Sequence, residues 1–124
     1  MAIGNVAKVD GLAKASILDI NGLTVPSDAV TPPLDTYTGA AAGYSVRLLR
    51  TAYTGSCMRV REDGGNTETD IGFDSNGHLD TAAIASHCGA NNGFIRYWYD
   101  QSGNAVDAGQ ATAGSQPQIY NGTA

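Results

Sequence analysis

Charge is scarce in this chain. Of 124 residues, 15% are Asp, Glu, Lys or Arg, and the balance is acidic at −5 with a pI near 4.6. An acidic chain without a basic tract lacks the electrostatic footprint that nucleic acid demands, so nucleic acid is not expected as a partner. Five of the seven basic residues are arginines between Arg47 and Arg96, so positive charge is confined to the middle of the chain. Cysteine is also sparse. Cys57 and Cys88 are too few for a disulfide framework, and free thiols are expected. No apolar run approaches the ~20 residues of a membrane-spanning helix, so no membrane span is expected. Met-Ala-Ile-Gly-Asn at the start is not a basic stretch leading into a hydrophobic one, which predicts synthesis in the cytoplasm without secretion.

Signatures of chemistry are equally thin. His78 and His87 have no metal-ligand spacing with each other or with the cysteines, so no metal is expected. Ser102 is not embedded in the Gly-x-Ser-x-Gly of a nucleophile elbow. No glycine-rich phosphate loop falls between a strand and a helix, and no cofactor is expected. Asp74, Asn76 and Asp80 resemble a shortened calcium loop, but its bidentate glutamate is missing and a bare turn is expected. Glu62, Asp63, Glu68, Asp74 and Asp80 fall in or beside turns, where solvation is the default. No two of them stand out as the pair a glycosidase needs.

What the chain does have is glycine, 16 in all, with many Ser, Thr and Asn residues: short elements joined by tight turns. The strongest strand signal is Phe-Ile-Arg-Tyr-Trp-Tyr at 94–99, bounded by Asn-Asn-Gly and Asp-Gln-Ser-Gly. Simple alternation sends Phe94, Arg96 and Trp98 to one face and Ile95, Tyr97 and Tyr99 to the other, predicting a central strand covered on both sides with Trp98 buried. Arg96 then needs a carboxylate partner or a route to water. Asp100 is placed to close an Asx-type turn and Gly103 to take a positive φ. Trp98, Tyr99, Asp100 and Gly103 are therefore read as core and turn.

Residues 40–53 show a helical period, with Tyr44, Val46, Leu48, Leu49, Ala52 and Tyr53 on one arc and Arg47 and Arg50 opposite, so a helix ending near Gly55 is predicted. Strands are expected at 57–61 and 67–73. A short helix capped by Asp80 or Thr81 should bury Ile84 and Cys88 and end at Gly89. Gln118-Ile119-Tyr120 hints at a last strand.

The first thirty residues differ. Val-Ala-Lys-Val-Asp-Gly-Leu at 6–12 is echoed eleven residues later by Ile-Leu-Asp-Ile-Asn-Gly-Leu at 17–23, each copy carrying an Asp-Gly or Asn-Gly turn signal. Two such units cannot bury their aliphatics alone. Val6, Val9, Leu12, Ile17, Ile20 and Leu23 are thus candidate partner-docking residues. Pro32-Pro33 marks a stiff connection. The expected organisation is an arm at 1–29, a linker at 30–36 and a domain at 37–124. The expected fold class is β-rich α+β: a small twisted antiparallel sheet or partial β-sandwich with two short helices, preceded by an extended N-terminal arm.

Tyr99-Asp100-Gln101-Ser102-Gly103, with Gln110-Ala111 after it, resembles a segment of the alpha-L-arabinofuranosidase B catalytic domain, and bacteriophage tail-fibre and other virion proteins carry a similar one. The resemblance to the arabinofuranosidases runs from about Tyr44 to Ala111 and includes Arg47, Leu49, Gly55, Cys88 and Asn104. It implies the opening part of a concanavalin-like β-sandwich, with the catalytic glutamate and aspartate downstream of anything that aligns. It also implies a second cysteine where this chain has Gly93. The units Lys8-Val9-Asp10-Gly11-Leu12 and Asp19-Ile20-Asn21-Gly22-Leu23 resemble those at the start of phage structural proteins. Together these features lead to the expectation of a non-catalytic virion structural protein, the virion-proximal attachment region of a tail fibre. Its partners would be other virion proteins through the arm, further copies of itself (a trimer fits a fibre) and a host-surface glycan. The alternatives are a carbohydrate-binding module, using its tyrosines and an exposed Trp98, and a fragment of an arabinofuranosidase-type hydrolase.

Overall fold

A computed structural model of the chain describes residues 19–20, 23–24 and 31–123. The chain divides into two units, Met1–Thr31 and Pro32–Ala124. In the first, β1 (Asp19–Ile20) pairs antiparallel with β2 (Leu23–Thr24), Ile20 opposite Leu23, on either side of the Asn-Gly dipeptide.

The second unit is built on a five-stranded antiparallel sheet. Its strands are β3 (Met58–Glu62), β4 (Glu68–Ile71), β5 (Asn92–Trp98), β6 (Ala108–Gly109) and β7 (Gln118–Asn121). The order is β4-β3-β5-β6, and β7 also pairs with β5, along Asn92 to Phe94 while β6 takes Tyr97 and Trp98. The aromatic strand is therefore central, as its composition predicts. Helices α1 (Pro33–Thr36) and α2 (Thr81–Cys88) complete a β-rich α+β fold.

Helix α2 forms where local signals place it. Asp80 Oδ1 accepts from Ala83 N at 2.9 Å, and Gly89 closes the helix with its N–H on Ala85 O and φ of 57°. Its buried side chains are Ile84 and Cys88. They pack with Cys57, Met58, Val60 and Ile71 into the core on one face of the sheet, with Ile95, Trp98, Ile119 and Tyr120 around them. Each such aliphatic side chain contributes roughly 1.5–3 kcal/mol of burial.

Strand β5 does not alternate simply. Met58 faces Trp98 and Arg59 faces Tyr97, but Val60 faces Ile95 and Arg61 faces Phe94, so Arg96 is an extra residue, a β-bulge. Trp98 and Ile95 consequently share the core face with Met58 and Val60, while Phe94 and Tyr97 share the other with Arg61 and Arg59. Phe94 and Trp98, expected on one face, lie on opposite faces. Trp98 is half-buried rather than buried, tilted 54° against Tyr44 at 6.2 Å.

Two further expectations are corrected. Residues 40–53 are not helical; they run largely extended, with one bridge from Arg47 to His78. Leu48 N donates to Gly77 O and Leu79 N to Val46 O, each at 2.7 Å, so the backbone groups a helix would use internally go to a neighbouring turn. And Pro33–Thr36, expected as extended linker, forms a helical turn: Pro33 occupies the first helical position, where its missing N–H costs nothing.

Candidate functional site

The densest polar construction joins the end of β5 to the extended strap at 43–50. Asp100 is 4% exposed and Gln101 fully buried. The Asp100 carboxylate accepts from Gly43 N at 2.7 Å, Ser102 N at 2.8 Å, Ser102 Oγ at 2.7 Å and Val106 N at 3.1 Å. The Ser102 N bond is an Asx turn, and Gly103 follows with φ of 99°. Gln101 works in both senses: its Oε1 accepts from Leu49 N at 2.7 Å, and its Nε2 donates to Ser45 O and Arg47 O at 3.2 and 3.0 Å. One side-chain amide thus does for the strap what a neighbouring strand would. Burial alone would raise the Asp100 carboxyl, but the bonds from Ser102, Gly43 and Val106 more than reverse this and hold it well below the usual carboxylate range.

A second buried carboxylate closes the β3–β4 turn. Glu62, 5% exposed, accepts from the backbone of Thr67, Gly65 and Gly64, from Thr67 Oγ1 and from Asn91 Nδ2. The Thr67 and Gly65 amides, in that order, bring its carboxyl down to about 2. Turn placement had suggested a solvated side chain; five donors converging on it bury it instead. Beside it, Arg61 is buried over the Phe94 ring at 5.0 Å and donates to Gln116 and Asn66.

The other acids are likewise engaged. Asp70 takes a bidentate pair from Arg59 at 2.8 Å and the Tyr99 hydroxyl at 2.7 Å, and Arg59 foremost lowers its carboxyl. Burial and that bond push the Tyr99 phenol up to about 12. Glu68 lies 3.7 Å from Arg96, whose guanidinium rests 4.4 Å above Tyr97, and this supplies the partner Arg96 requires. Asp35 holds Thr51, Asp63 holds Asn92, Asp74 holds the amides of Asn76 and His78, Asp80 caps α2, and Asp107 accepts from Asp100 N. Among the described residues no group of three His, Cys, Asp or Glu side chains is placed to hold a metal. Cys57 and Cys88 are buried and free; burial pushes the Cys57 thiol up to about 11.

These acids maintain turns, a cap and a strap. Glycoside hydrolysis needs two carboxyl groups free to address one sugar, and of the acids from Asp35 to Asp107 all but Glu68, which faces Arg96 at 3.7 Å, accept hydrogen bonds from the protein. Of the residues singled out by sequence, Trp98, Tyr99, Asp100 and Gly103 lie together at the end of β5. Val6, Val9, Leu12 and Ile17 lie outside the described residues. Ile20 and Leu23 are cross-strand partners in the β1–β2 hairpin. Sequence reasoning passed over Gln101 and Glu62. The signal for Glu62 was the run Asp-Gly-Gly-Asn-Thr behind it, a turn rich in amides that need an acceptor.

Residues 33–124 match the family model described as alpha-L-arabinofuranosidase B, catalytic. Similar solved structures include an arabinofuranosidase complexed with arabinofuranosyl-alpha-1,2-xylobiose and a GH54 alpha-L-arabinofuranosidase soaked with a cyclic sulfate inhibitor. Each is 29% identical with a TM-score of 0.60, over 65% of this chain and 18% of the other. The chain thus spans under a fifth of the length of these structures. No curated protein matches it.

These findings overturn two expectations, that the chain is a virion structural protein of a tail fibre and that it is not an enzyme, and they favour the alternative of an arabinofuranosidase-type fragment. The repeat that suggested a fibre lies at 6–23, ahead of the matched residues.

Proposed function

The chain belongs to the alpha-L-arabinofuranosidase B catalytic family, and we propose that it forms the scaffold segment of a glycoside hydrolase acting on arabinofuranosides. The family match across 33–124 carries this reading, and the 29% identity to arabinofuranosidase structures supports it. The geometry supports a scaffold role within the domain. Sheet, strap and turn carboxylates make a rigid platform, and rigid elements are what place reacting groups to within fractions of an ångström. The acid and the second carboxylate of the reaction come, in this reading, from polypeptide outside residues 31–123.

The test is release of 4-nitrophenol from 4-nitrophenyl alpha-L-arabinofuranoside. The natural polypeptide that carries this chain should turn it over, while the 124-residue chain alone should be inert despite a cooperative melt. A folded natural polypeptide without activity on any arabinofuranoside would sink the reading. Turnover by the isolated chain would sink the assignment of its acids to structure.

A further inference from the structure

Arg50 stands apart from the other arginines of the sheet unit. Arg59 is paired with Asp70, Arg96 lies beside Glu68, Arg61 is buried over Phe94 and donates to Gln116 and Asn66, and Arg47 is exposed. Arg50 is half-buried and makes a single side-chain hydrogen bond, from Nη1 to Ser102 O at 3.1 Å. No carboxylate among the described residues pairs with it. A guanidinium carries five donors in a planar fork, so most of this one remains open, and a partly desolvated cation without a counter-charge is costly.

The guanidinium lies against the backbone at Gly103, where a Cβ would come within 2.7 Å of Nη1 and φ is 99°. It faces a cavity of about 130 Å³ lined with Leu34, Tyr37, Thr38, Ala40 and Ser102 among others. Tyr37 is 74% exposed, presenting a flat apolar ring with a polar edge.

We propose that this cavity binds the carboxylate of a sugar acid, a uronate, with the Arg50 fork taking the carboxylate and Tyr37 lying against the ring. A fork matches a planar carboxylate bidentately, and one unpaired cation balances one negative charge. An exposed aromatic beside it, with the Thr38 hydroxyl, suits a polyhydroxylated body better than a bare ion. The proposal does not rest on the hydrolase reading: no acid of the chain takes part, and an inactive protein would bind equally well.

The probe is sodium glucuronate titrated into the 124-residue chain and followed by amide chemical shifts, with acetate, glucose and inorganic phosphate in parallel. Glucuronate should saturate, with shifts confined to 34–40, 50 and 102–103. It should bind more tightly than acetate or phosphate, which offer the Arg50 fork an anion but nothing for Tyr37 to lie against, and glucose should leave the spectrum unchanged. Arg50→Gln should weaken glucuronate by about tenfold or more, the loss expected of a charge-assisted hydrogen bond. If Arg50→Gln fails to fold, Tyr37→Ala decides: its site is exposed, and it should bring glucuronate down to the affinity of acetate while leaving acetate unaltered. Equal affinity for glucuronate and acetate in the unmodified chain overturns the proposal, as does phosphate matching glucuronate, or a folded Arg50→Gln protein that binds normally.

Discussion

Strand β5 holds its surroundings in two different ways. Through Trp98 and Ile95 it joins the apolar layer of Met58, Val60, Ile71, Ile84 and Cys88, where contact is non-directional. Just beyond its end, Asp100 and Gln101 grip the 43–50 strap through bonds that each name a donor and an acceptor. The first depends on volume and is indifferent to proton concentration; the second depends on partners and on the charge of Asp100. The unit therefore has two distinct weak points, and single substitutions can separate them.

The largest effect belongs to the apolar layer. Met58→Ala leaves a hole at a fully buried site and should cost about 2–5 kcal/mol in denaturant unfolding. That cost should be the same at pH 5 and pH 8. Gln101→Leu keeps the volume but strips Leu49 N and Arg47 O of their side-chain partner, while Ser45 O keeps Trp98 Nε1 and Cys57 Sγ, for about 2–4 kcal/mol. Hydrogen exchange should then quicken at 43–50 more than in α2. Equal acceleration in both would mean that strap and core are one cooperative unit, and the contrast would collapse.

Acid should single out the polar grip. Glu62, at about 2, and Asp100, lower still, have folded-state values depressed below those of free carboxylates. The unfolded chain therefore takes up protons near pH 4 that the folded chain refuses, and stability falls as pH drops through 4 toward 2. Above about pH 5 these two groups contribute no slope. Asp100→Asn should shrink the acid-induced loss while lowering stability at neutral pH; an unchanged acid profile would remove Asp100 from the account.

A smaller effect tests how closely α2 sits on β5. A Cβ on Gly93 would meet Cys88 Sγ at 2.8 Å and Val60 Cγ1 at 3.2 Å, so Gly93→Ala should destabilise by about 1–3 kcal/mol. Disulfide bond lengths themselves place one Cβ about 3 Å from the partner sulfur. Gly93→Cys should therefore oxidise to a Cys88-linked bridge, visible as a mass loss of about two hydrogens, with stability recovered only in the oxidised form. Smallest is Tyr99→Phe, which deletes one hydrogen bond to Asp70 for about 0.5–1.5 kcal/mol.

What could be read from the sequence was what local chemistry decides. Asp80 and Gly89 bound α2 by capping, and the aromatic run at 94–99 marks the central strand. The failures came where distant groups override a local period. Residues 40–53 carry a helical arc of apolar side chains, yet Gln101, fifty residues on, and Gly77 compete for their backbone and win. Glu62 looked solvated because nothing within its own turn shows that Asn91 will close over it. The bulge at Arg96 leaves no mark in the residue pattern, since aromatic and aliphatic side chains suit either face. As for function, the Tyr-Asp-Gln-Ser-Gly segment at 99–103 carries the family resemblance, whereas the distant repeat at 6–23 points toward a fibre.

The extra residue in β5 reverses phase partway along the strand. Upstream of Arg96 the odd-numbered Ile95 points inward; downstream it is the even-numbered Trp98. Anyone building a substitution library on this strand, or aligning relatives to it, must switch parity at that position. A one-residue deletion there would restore a regular pleat while leaving Phe94, Ile95, Tyr97 and Trp98 on the faces they now occupy.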